Sequence, residues 1–255
     1  MKFQIENVKG LTNAINNVML KGKYFTSNGV KSKGLGDYVY LEAKDETLTL
    51  YNADETLALL QTVDATIEES GSATLECSKL LAYLKKFSTV TINVDSIVRM
   101  TGDGKTASMA IVVEHPHRNM IEPFMNRVKD FSITQSLEEL PAWSNKMTFD
   151  TKVSLNTDIL IDAIDSCEIV GTGVYKLDYG EDLSLSSQDD FGGFNSILET
   201  IVSEGEEATV EFTSPIHKFL SKGSVVDILF NDDSPILFLS PDRKLLKAPF
   251  VNLLR

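Results

Sequence analysis

Residues 72–94, SATLECSKLLAYLKKFSTVTINV, decide the fold because their pattern is typical of a strand, a short amphipathic helix and a second strand. The same pattern returns at residues 207–230, EATVEFTSPIHKFLSKGSVVDILF. Identical residues occupy matching places in the two copies: Ala73 and Ala208, Thr74 and Thr209, Glu76 and Glu211, Leu84 and Leu220, Ile92 and Ile228. A spacing kept over this length indicates an internal two-fold repeat.

The length of 255 residues accommodates two domains of ordinary size, and the repeat favours that division. No apolar run reaches the roughly 18 residues of a membrane span, and residues 1–5 begin a strand-like pattern rather than a signal peptide. The only two cysteines, Cys77 and Cys167, have no metal-binding spacing and are expected to be reduced and partly buried. These features predict an intracellular protein without a membrane association.

Hydrophobic periodicity divides the chain into residues 1–113, a connector at 114–146 that holds three of the seven prolines, and residues 147–255. Each half is predicted to run β-α-β-β-β-β-α-β-β-β. Helices are expected over about 8–20 and from residue 156 or 157, a loop over 21–36, and a hairpin turn at 102–105. Because few segments suit crossover helices, the fold class is α+β with antiparallel sheets and helices on one face.

Three of the predicted helical segments, 8–23, 78–87 and 213–222, contain basic residues and no acid, although the net charge is −13. The segment that follows residue 156 is instead acidic, with Asp158, Asp162, Asp165 and Glu168. The basic faces could be ordinary solvated faces whose lysines lie near helix C-termini. The absence of acids favours instead a surface that contacts phosphates without reading base sequence. The nine candidate residues are Lys9, Lys21, Lys23, Lys79, Lys85, Lys86, His217, Lys218 and Lys222.

No pattern of catalytic residues stands out. The segment GDGKT, residues 102–106, does not match the phosphate-binding loop motif, because Arg99 stands where that motif requires its first glycine. His115 and His117 flank a proline with no third metal ligand nearby. Asp189, Asp190 and the acids of 204–207 are expected to be solvated loop residues. The sequence therefore predicts no catalytic residue, no metal and no cofactor.

Four segments resemble the DNA polymerase sliding clamps, a family that includes the bacterial β clamp, proliferating cell nuclear antigen (PCNA) and phage clamps. They are DETLTLYNADETLALL at 45–60, residues 73–94, DSPILFL at 233–239 and LKAP at 246–249. The resemblance covers the whole chain. It implies two tandem clamp-fold (processivity-fold) domains, each with antiparallel sheets outside and two short helices on the inner face. Six such domains close a ring, so it also implies a homotrimer joined through edge strands.

The resemblance further implies function. Double-stranded DNA would pass through the ring without sequence-specific contact, and a DNA polymerase and a clamp loader would be protein partners at the replication fork. Lys9, Lys79, Lys85, Lys218 and Lys222 match basic helix positions of the family. A partner-peptide pocket is expected near the connector and the chain end. Its candidate residues are Leu57, Met120, Ile121, Phe124, Pro235, Ala248, Pro249 and Phe250.

Two alternatives stay open on the sequence. The chain could be a clamp-fold scaffold or one subunit of a hetero-oligomeric clamp, unable to form a ring alone. The acidic segment after residue 156 keeps this alternative open, because it lacks the basic residues expected of the family. The chain could also be an enzyme of unknown type with a duplicated α+β fold, although no cluster of ionisable residues supports that.

Overall fold

The computed structural model describes residues 1–20, 24–25, 31–32, 37–53, 56–112, 128, 131, 135–139, 149–213, 216 and 219–250. The chain forms two compact units, Met1–Met125 and Asn126–Arg255. Their boundary lies inside the predicted connector. Some of that segment belongs to the packed part of unit 2: the ring of Phe131 contacts that of Phe149 edge to face at 5.6 Å.

The described residues of unit 1 form two helices and two principal antiparallel sheets. The helices are α1 (Val8–Val18) and α2 (Cys77–Leu84). The strands are β1 (Lys2–Ile5), β2 (Tyr24–Phe25), β3 (Lys31–Ser32), β4 (Tyr38–Lys44), β5 (Thr47–Ala53), β6 (Leu57–Asp64), β7 (Thr66–Glu69), β8 (Gly71–Glu76), β9 (Val90–Val94), β10 (Ile97–Gly102) and β11 (Lys105–Ala110). One sheet has the order β11-β10-β9-β1-β7, and the other strands pair in the order β6-β5-β4-β8. A small hairpin, β2–β3, lies within the stretch predicted to be a loop.

Unit 2 repeats this plan. Its described helix is α3 (Thr157–Glu168). The strands are β12 (Thr151–Asn156), β13 (Val174–Tyr179), β14 (Leu183–Gln188), β15 (Gly193–Leu198), β16 (Thr200–Gly205), β17 (Ala208–Thr213), β18 (Val225–Phe230), β19 (Ile236–Ser240) and β20 (Arg243–Lys247). The strands pair in the orders β20-β19-β18-β12-β16 and β15-β14-β13-β17.

Strand order confirms the internal repeat. The strand pairings of unit 1 become those of unit 2 when β1 is replaced by β12, β4–β8 by β13–β17, and β9–β11 by β18–β20. The register agrees as well: Ile92 lies opposite Phe3, and its predicted counterpart Ile228 lies opposite Val153. All four side chains are fully buried. The predicted α+β class, with two repeated domains of antiparallel sheets, is therefore correct.

Helices α1 and α3 begin where the sequence provides a side-chain cap. In α1, the Asn7 side chain accepts a hydrogen bond of 2.8 Å from the Gly10 amide, and in α3 the Asn156 side chain accepts one from the Asp158 amide. The buried residues of α1, Val8, Leu11, Ala14, Ile15 and Val18, follow helical spacing. This apolar face packs α1 against β5, β6 and α2.

The hairpin predicted at residues 102–105 is present. Gly102 pairs with Lys105, and the two central residues, Asp103 and Gly104, have φ angles of 49° and 69°. Positive φ at both central positions is the geometry whose twist suits antiparallel strands. Asp103 also accepts hydrogen bonds from the amide and hydroxyl of Ser88, which lower the pKa of its carboxyl. The turn is thus fixed by backbone geometry and by a side chain.

Several elements differ from the sequence prediction. The prediction has four strands between the two helices of each half, whereas β7 in unit 1 and its counterpart β16 in unit 2 are additional strands, and β15 was predicted without assigned residues. Each of the three has mostly exposed residues. Glu204, expected in a solvated loop, lies in β16 and accepts a hydrogen bond of 3.1 Å from the Leu137 amide. The second helix predicted for unit 2, at 213–222, lies largely outside the described residues. Its described members Ile216, Phe219 and Leu220 are buried.

Candidate functional site

Helices α1 and α2 pack against each other in unit 1 and form the first part of the candidate site. On α2, Cys77, Leu80, Leu81 and Leu84 are buried. The exposed lysines of the two helices are Lys9, Lys79, Lys85 and Lys86. The apolar side of each helix therefore fixes it to the unit, and the lysines face solvent on neighbouring helices.

These lysines differ in their surroundings. Lys79 forms a salt bridge of 3.3 Å with Glu76, the residue that precedes α2, so its charge is partly balanced. At the other end of the helix, Lys85 and Lys86 are exposed. The ammonium group of Lys105, in β11, donates a hydrogen bond of 2.9 Å to the Lys86 carbonyl. Lys105 therefore extends the basic surface at the C-terminal end of α2.

Sequence reasoning assigned Lys105 only to the hairpin turn and missed this position. The predicted hairpin was the one sequence feature that could have indicated this position, because its turn reverses the chain and places the start of β11 near the end of α2. The contact depends on the packing of α2 against β11, which no local pattern reveals.

In unit 2, exposed Lys222 lies beside the N-terminus of α3. The Gly223 amide donates a hydrogen bond of 3.0 Å to the Asp158 carboxylate, and the Thr157 hydroxyl donates to the Ser221 carbonyl. These contacts hold the turn that carries Lys222 against an acidic residue. The candidates Lys21, Lys23, His217 and Lys218 lie outside the residues whose side chains the structure describes.

Helix α3 occupies in unit 2 the topological place that α1 occupies in unit 1. It packs against β12, β14 and β15. Asp158, Asp162 and Asp165 are exposed and recur at intervals of four and three residues, so they share one face. Glu168 accepts a hydrogen bond of 3.2 Å from the Tyr175 hydroxyl. The acidic helix is thus an integral member of the repeat.

The edge of unit 2 formed by β15 also exposes large apolar side chains. Phe191, in the turn between β14 and β15, is 99% exposed, and Ile197 within β15 is 67% exposed. Ile169, directly after α3, is 86% exposed. The Phe191 turn is ordered, because the Asp189 carboxylate accepts hydrogen bonds of 2.8 Å from the amides of both Phe191 and Gly192. Large apolar side chains exposed near one sheet edge make this edge a candidate interaction surface.

The candidate pocket residues of unit 2 lie together at the open end of the β19–β20 hairpin. Ile236 pairs with Lys247, so Pro235 and Ala248 follow at the same end. Pro235, Ala248, Pro249 and Phe250 are half-buried. The Phe250 amide donates a hydrogen bond of 2.6 Å to the Glu211 carbonyl, which ties this end of the chain to β17.

The other pocket candidates are less informative. Leu57 starts β6 in unit 1 and is only 7% exposed. Met120, Ile121 and Phe124 lie outside the described residues.

The described residues contain no group of three or more His, Cys, Asp or Glu side chains arranged to hold a metal ion. Cys77 and Cys167 are free and buried, as expected. Burial raises the pKa of Cys77 to about 12 and that of Cys167 to about 11, so both thiols are protonated at neutral pH. No described helix has both the length and the apolar character needed to cross a membrane.

Comparison with known proteins gives the fold. No protein-family model and no curated protein sequence matches the chain. The DNA polymerase III beta subunit of Thermotoga maritima matches 99% of the chain with a TM-score of 0.73 and 18% identity, and the chain covers 66% of it. A. fulgidus PCNA, in a structure with the C-terminal region of FEN-1, matches with a TM-score of 0.67 and 11% identity over 98% of both chains.

A third match comes from the PCNA2–PCNA3 complex of Sulfolobus tokodaii, with a TM-score of 0.66, 14% identity and coverage of 98% and 99%. The chain thus spans about two thirds of the bacterial beta subunit and nearly all of archaeal PCNA. It has the sliding-clamp fold.

Proposed function

We propose that the chain is a DNA sliding clamp, a processivity factor that closes into a homotrimeric ring around double-stranded DNA and tethers a DNA polymerase. The observation that carries the proposal is the match of both units, over nearly the full length of both chains, to PCNA. The ring of this family has six clamp units, and each copy of this chain has two, so three copies would close the ring. The chain would act inside the cell, at the replication fork.

The mechanism is topological. A closed ring cannot leave a long DNA, so its contacts with phosphates can be weak and the ring can slide. Lysine suits this role because it is a flexible point charge that contacts phosphate without fixed geometry. Lys9, Lys79, Lys85 and Lys86 would face the DNA from α1 and α2. The net charge of −13 would disfavour binding of DNA elsewhere on the surface.

Loading would require a second protein. The GDGKT segment forms a hairpin turn between β10 and β11 rather than a phosphate-binding loop before a helix. We therefore assign ring opening to an ATP-dependent clamp loader. The open end of the β19–β20 hairpin, with Pro235, Ala248, Pro249 and Phe250, is the proposed docking place for partner peptides. The FEN-1 segment bound to A. fulgidus PCNA supports a peptide-docking role for this fold.

The test uses nicked circular DNA and the matching clamp loader. The wild-type ring should stay on circular DNA and be released when the DNA is cut, measured by gel filtration. The variant Lys79→Glu/Lys85→Glu/Lys86→Glu should keep the trimer mass and lose at least about tenfold in polymerase stimulation, because each phosphate contact contributes to salt-dependent affinity. Lys44→Glu, an exposed lysine of β4 paired with Asp45, is the matched control.

Two results would contradict the proposal. Equal retention on circular and cut DNA would exclude encirclement, and unchanged stimulation by the triple variant would exclude these lysines.

A second candidate function is a hetero-oligomeric clamp subunit. The acidic face of α3 favours it, because a ring built from one chain would place that face in every copy. The fold match to the PCNA2–PCNA3 complex is consistent with it. Mass measurement of the purified chain separates the two: a trimer supports the homotrimeric clamp, and a monomer at all concentrations supports the hetero-oligomer.

A further inference from the structure

Unit 1 contains a cavity that the clamp proposal leaves without a role. Its volume is about 280 Å³, and it opens between β8, the end of β9 and the chain that follows β11. The aliphatic residues Ile111 and Val112 and the polar residues Tyr40, Thr74 and Asp95 are among those that line it. Tyr40 and Thr74 lie opposite each other in the antiparallel pair β4–β8, so their side chains share one face of the sheet. The cavity thus offers hydroxyl groups and a carboxylate beside an apolar wall.

The Thr74 hydroxyl is buried without a partner. Thr74 is only 9% exposed, and its side chain forms no hydrogen bond with the residues that the structure describes. A hydroxyl that is buried and unsatisfied costs stability, so a folded chain rarely keeps one without a reason. Because Thr74 lines the cavity, a ligand held there would supply the missing partner.

The charge of the cavity comes from Asp95. This residue is exposed and forms no ion pair within the described part of the chain. The Met1 ammonium group also borders the cavity, but it donates a hydrogen bond of 3.1 Å to the Val94 carbonyl and lies 3.9 Å from the Glu69 carboxylate. Glu69 therefore balances the charge of Met1, and the Asp95 carboxylate is open to a cation.

Unit 2 closes the corresponding place with its own side chains. The hydroxyl of Thr209, the counterpart of Thr74, donates a hydrogen bond to the Asp178 carboxylate on the neighbouring strand. Asn231, the counterpart of Asp95, accepts a hydrogen bond from a backbone amide. The repeated fold thus satisfies these positions internally in one unit. The open polar groups of unit 1 are therefore not a consequence of the fold.

We propose that this cavity binds an organic cation, a guanidinium or ammonium group on an aliphatic stem. The cationic group donates hydrogen bonds to the Asp95 carboxylate and the Thr74 hydroxyl oxygen, and the stem packs against Ile111 and Val112. A guanidinium group suits the site because its five donors reach two acceptors at once. A basic side chain of a partner protein and a free polyamine both have this chemistry. The inference goes beyond the clamp function and rests on unit 1 alone.

The experiment titrates the full chain with n-butylguanidine and follows binding by saturation-transfer NMR. The neutral isostere n-butylurea should bind at least about tenfold more weakly, because a hydrogen bond to a charged group is stronger than one to a neutral group. Asp95→Asn should weaken binding of n-butylguanidine at least about tenfold for the same reason. Asp182→Asn, at an exposed acid between β13 and β14, is the matched control and should bind like the wild type.

The Thr74 hydroxyl is tested separately from folding. Thr74→Val should weaken binding, and Thr74→Ser, which keeps the hydroxyl, should retain it. Thr74→Val should leave the melting temperature within about 1 °C of the wild type, whereas Thr209→Val should lower it by at least about 2 °C, since only Thr209 loses an existing hydrogen bond. Equal destabilisation by the two valine variants would overturn the proposal, because the Thr74 hydroxyl would then act in the fold.

Two further ligands distinguish the sources of the cation. Tighter binding of an end-blocked peptide with one central arginine than of n-butylguanidine assigns the site to a partner's side chain. Tighter binding of putrescine assigns it to a free polyamine. Absence of n-butylguanidine binding at millimolar concentration, equal binding of n-butylurea, or an affinity unchanged by Asp95→Asn would each overturn the cation site. None of these results bears on the clamp proposal, because none depends on ring formation.

Discussion

Lys152 and Asp227 form an ion pair inside unit 2, with side chains only 7% and 3% exposed and an Nζ–Oδ2 distance of 3.2 Å. The Ser154 hydroxyl donates a hydrogen bond of 2.6 Å to the same carboxylate. The ammonium group also donates to the Gln135 carbonyl at 2.5 Å, within the predicted connector. Two buried charges thus join β12 and β18 to a segment outside the sheets.

Asp227→Ala should lower the free energy of unfolding by about 3–5 kcal/mol, because it leaves the Lys152 ammonium buried without its counter-charge. Lys152→Met/Asp227→Leu should recover most of that loss, since it removes both charges. Urea denaturation checks both values. Asp182→Ala, at an exposed acid, should change stability by no more than about 0.5 kcal/mol. If Asp227→Ala loses no more unfolding free energy than this control, the ion pair contributes little to stability.

The sequence could not reveal this pair. Lys152 and Asp227 are 75 positions apart in the sequence, and each looks like an ordinary charge in a strand. Lys105 was missed for the same reason: its contact with α2 depends on tertiary packing. By contrast, the buried leucines of α2 were predictable, because an amphipathic helix shows its inner face through spacing alone.

At the scale of elements, turns and caps were predictable, and the most exposed strands were not. The Asp103–Gly104 hairpin and the Asn156 cap follow from local side-chain chemistry. Strands β7, β15 and β16 bury at most one side chain each, so hydrophobic periodicity gave no clear signal for them. The strand β16 contains a further irregularity, a register shift opposite Ser154 and Leu155 of β12.

Gly205, at the end of β16, is required by a close backbone approach. Its φ is +102°, and a Cβ there would lie 1.9 Å from the Asp150 carbonyl oxygen. Gly205→Ala should therefore cost at least about 3 kcal/mol, from the unfavourable φ and the collision together. Gly173→Ala, with a φ of +66° and open space around it, should cost only about 1–2 kcal/mol. Thermal unfolding of both variants measures the two losses of stability. Equal losses would show that the backbone around Gly205 relaxes enough to accept a Cβ.

For the whole molecule, the repeat was the most informative signal in the sequence. It predicted two units with the same succession of elements, and the strands of the two units pair in equivalent orders. Composition predicted less, because a net charge of −13 does not tell where the charges lie. The acidic face of α3 was visible in the sequence, but its relation to β15 depends on packing.

Assembly should make thermal stability depend on protein concentration, because copies that associate only when folded stabilise the folded state by mass action. Phe191→Ser/Ile197→Ser should reduce that dependence without lowering the melting temperature at high dilution, since both side chains are exposed within one copy. Differential scanning calorimetry at two concentrations measures it. Ile201→Ser, at an exposed residue of β16, is the control. A dependence unchanged by the double variant would show that these two side chains lie outside the contact between copies.

The position of the first strand of each unit has a consequence for biosynthesis. β1 lies between β7 and β9, and β12 lies between β16 and β18. Each is made first by the ribosome, yet its neighbours in the sheet are made only after most of the unit has been translated. Neither strand can complete its pairing early, so each sheet forms late and through distant contacts. The first unit can then mature while the second is still being synthesised.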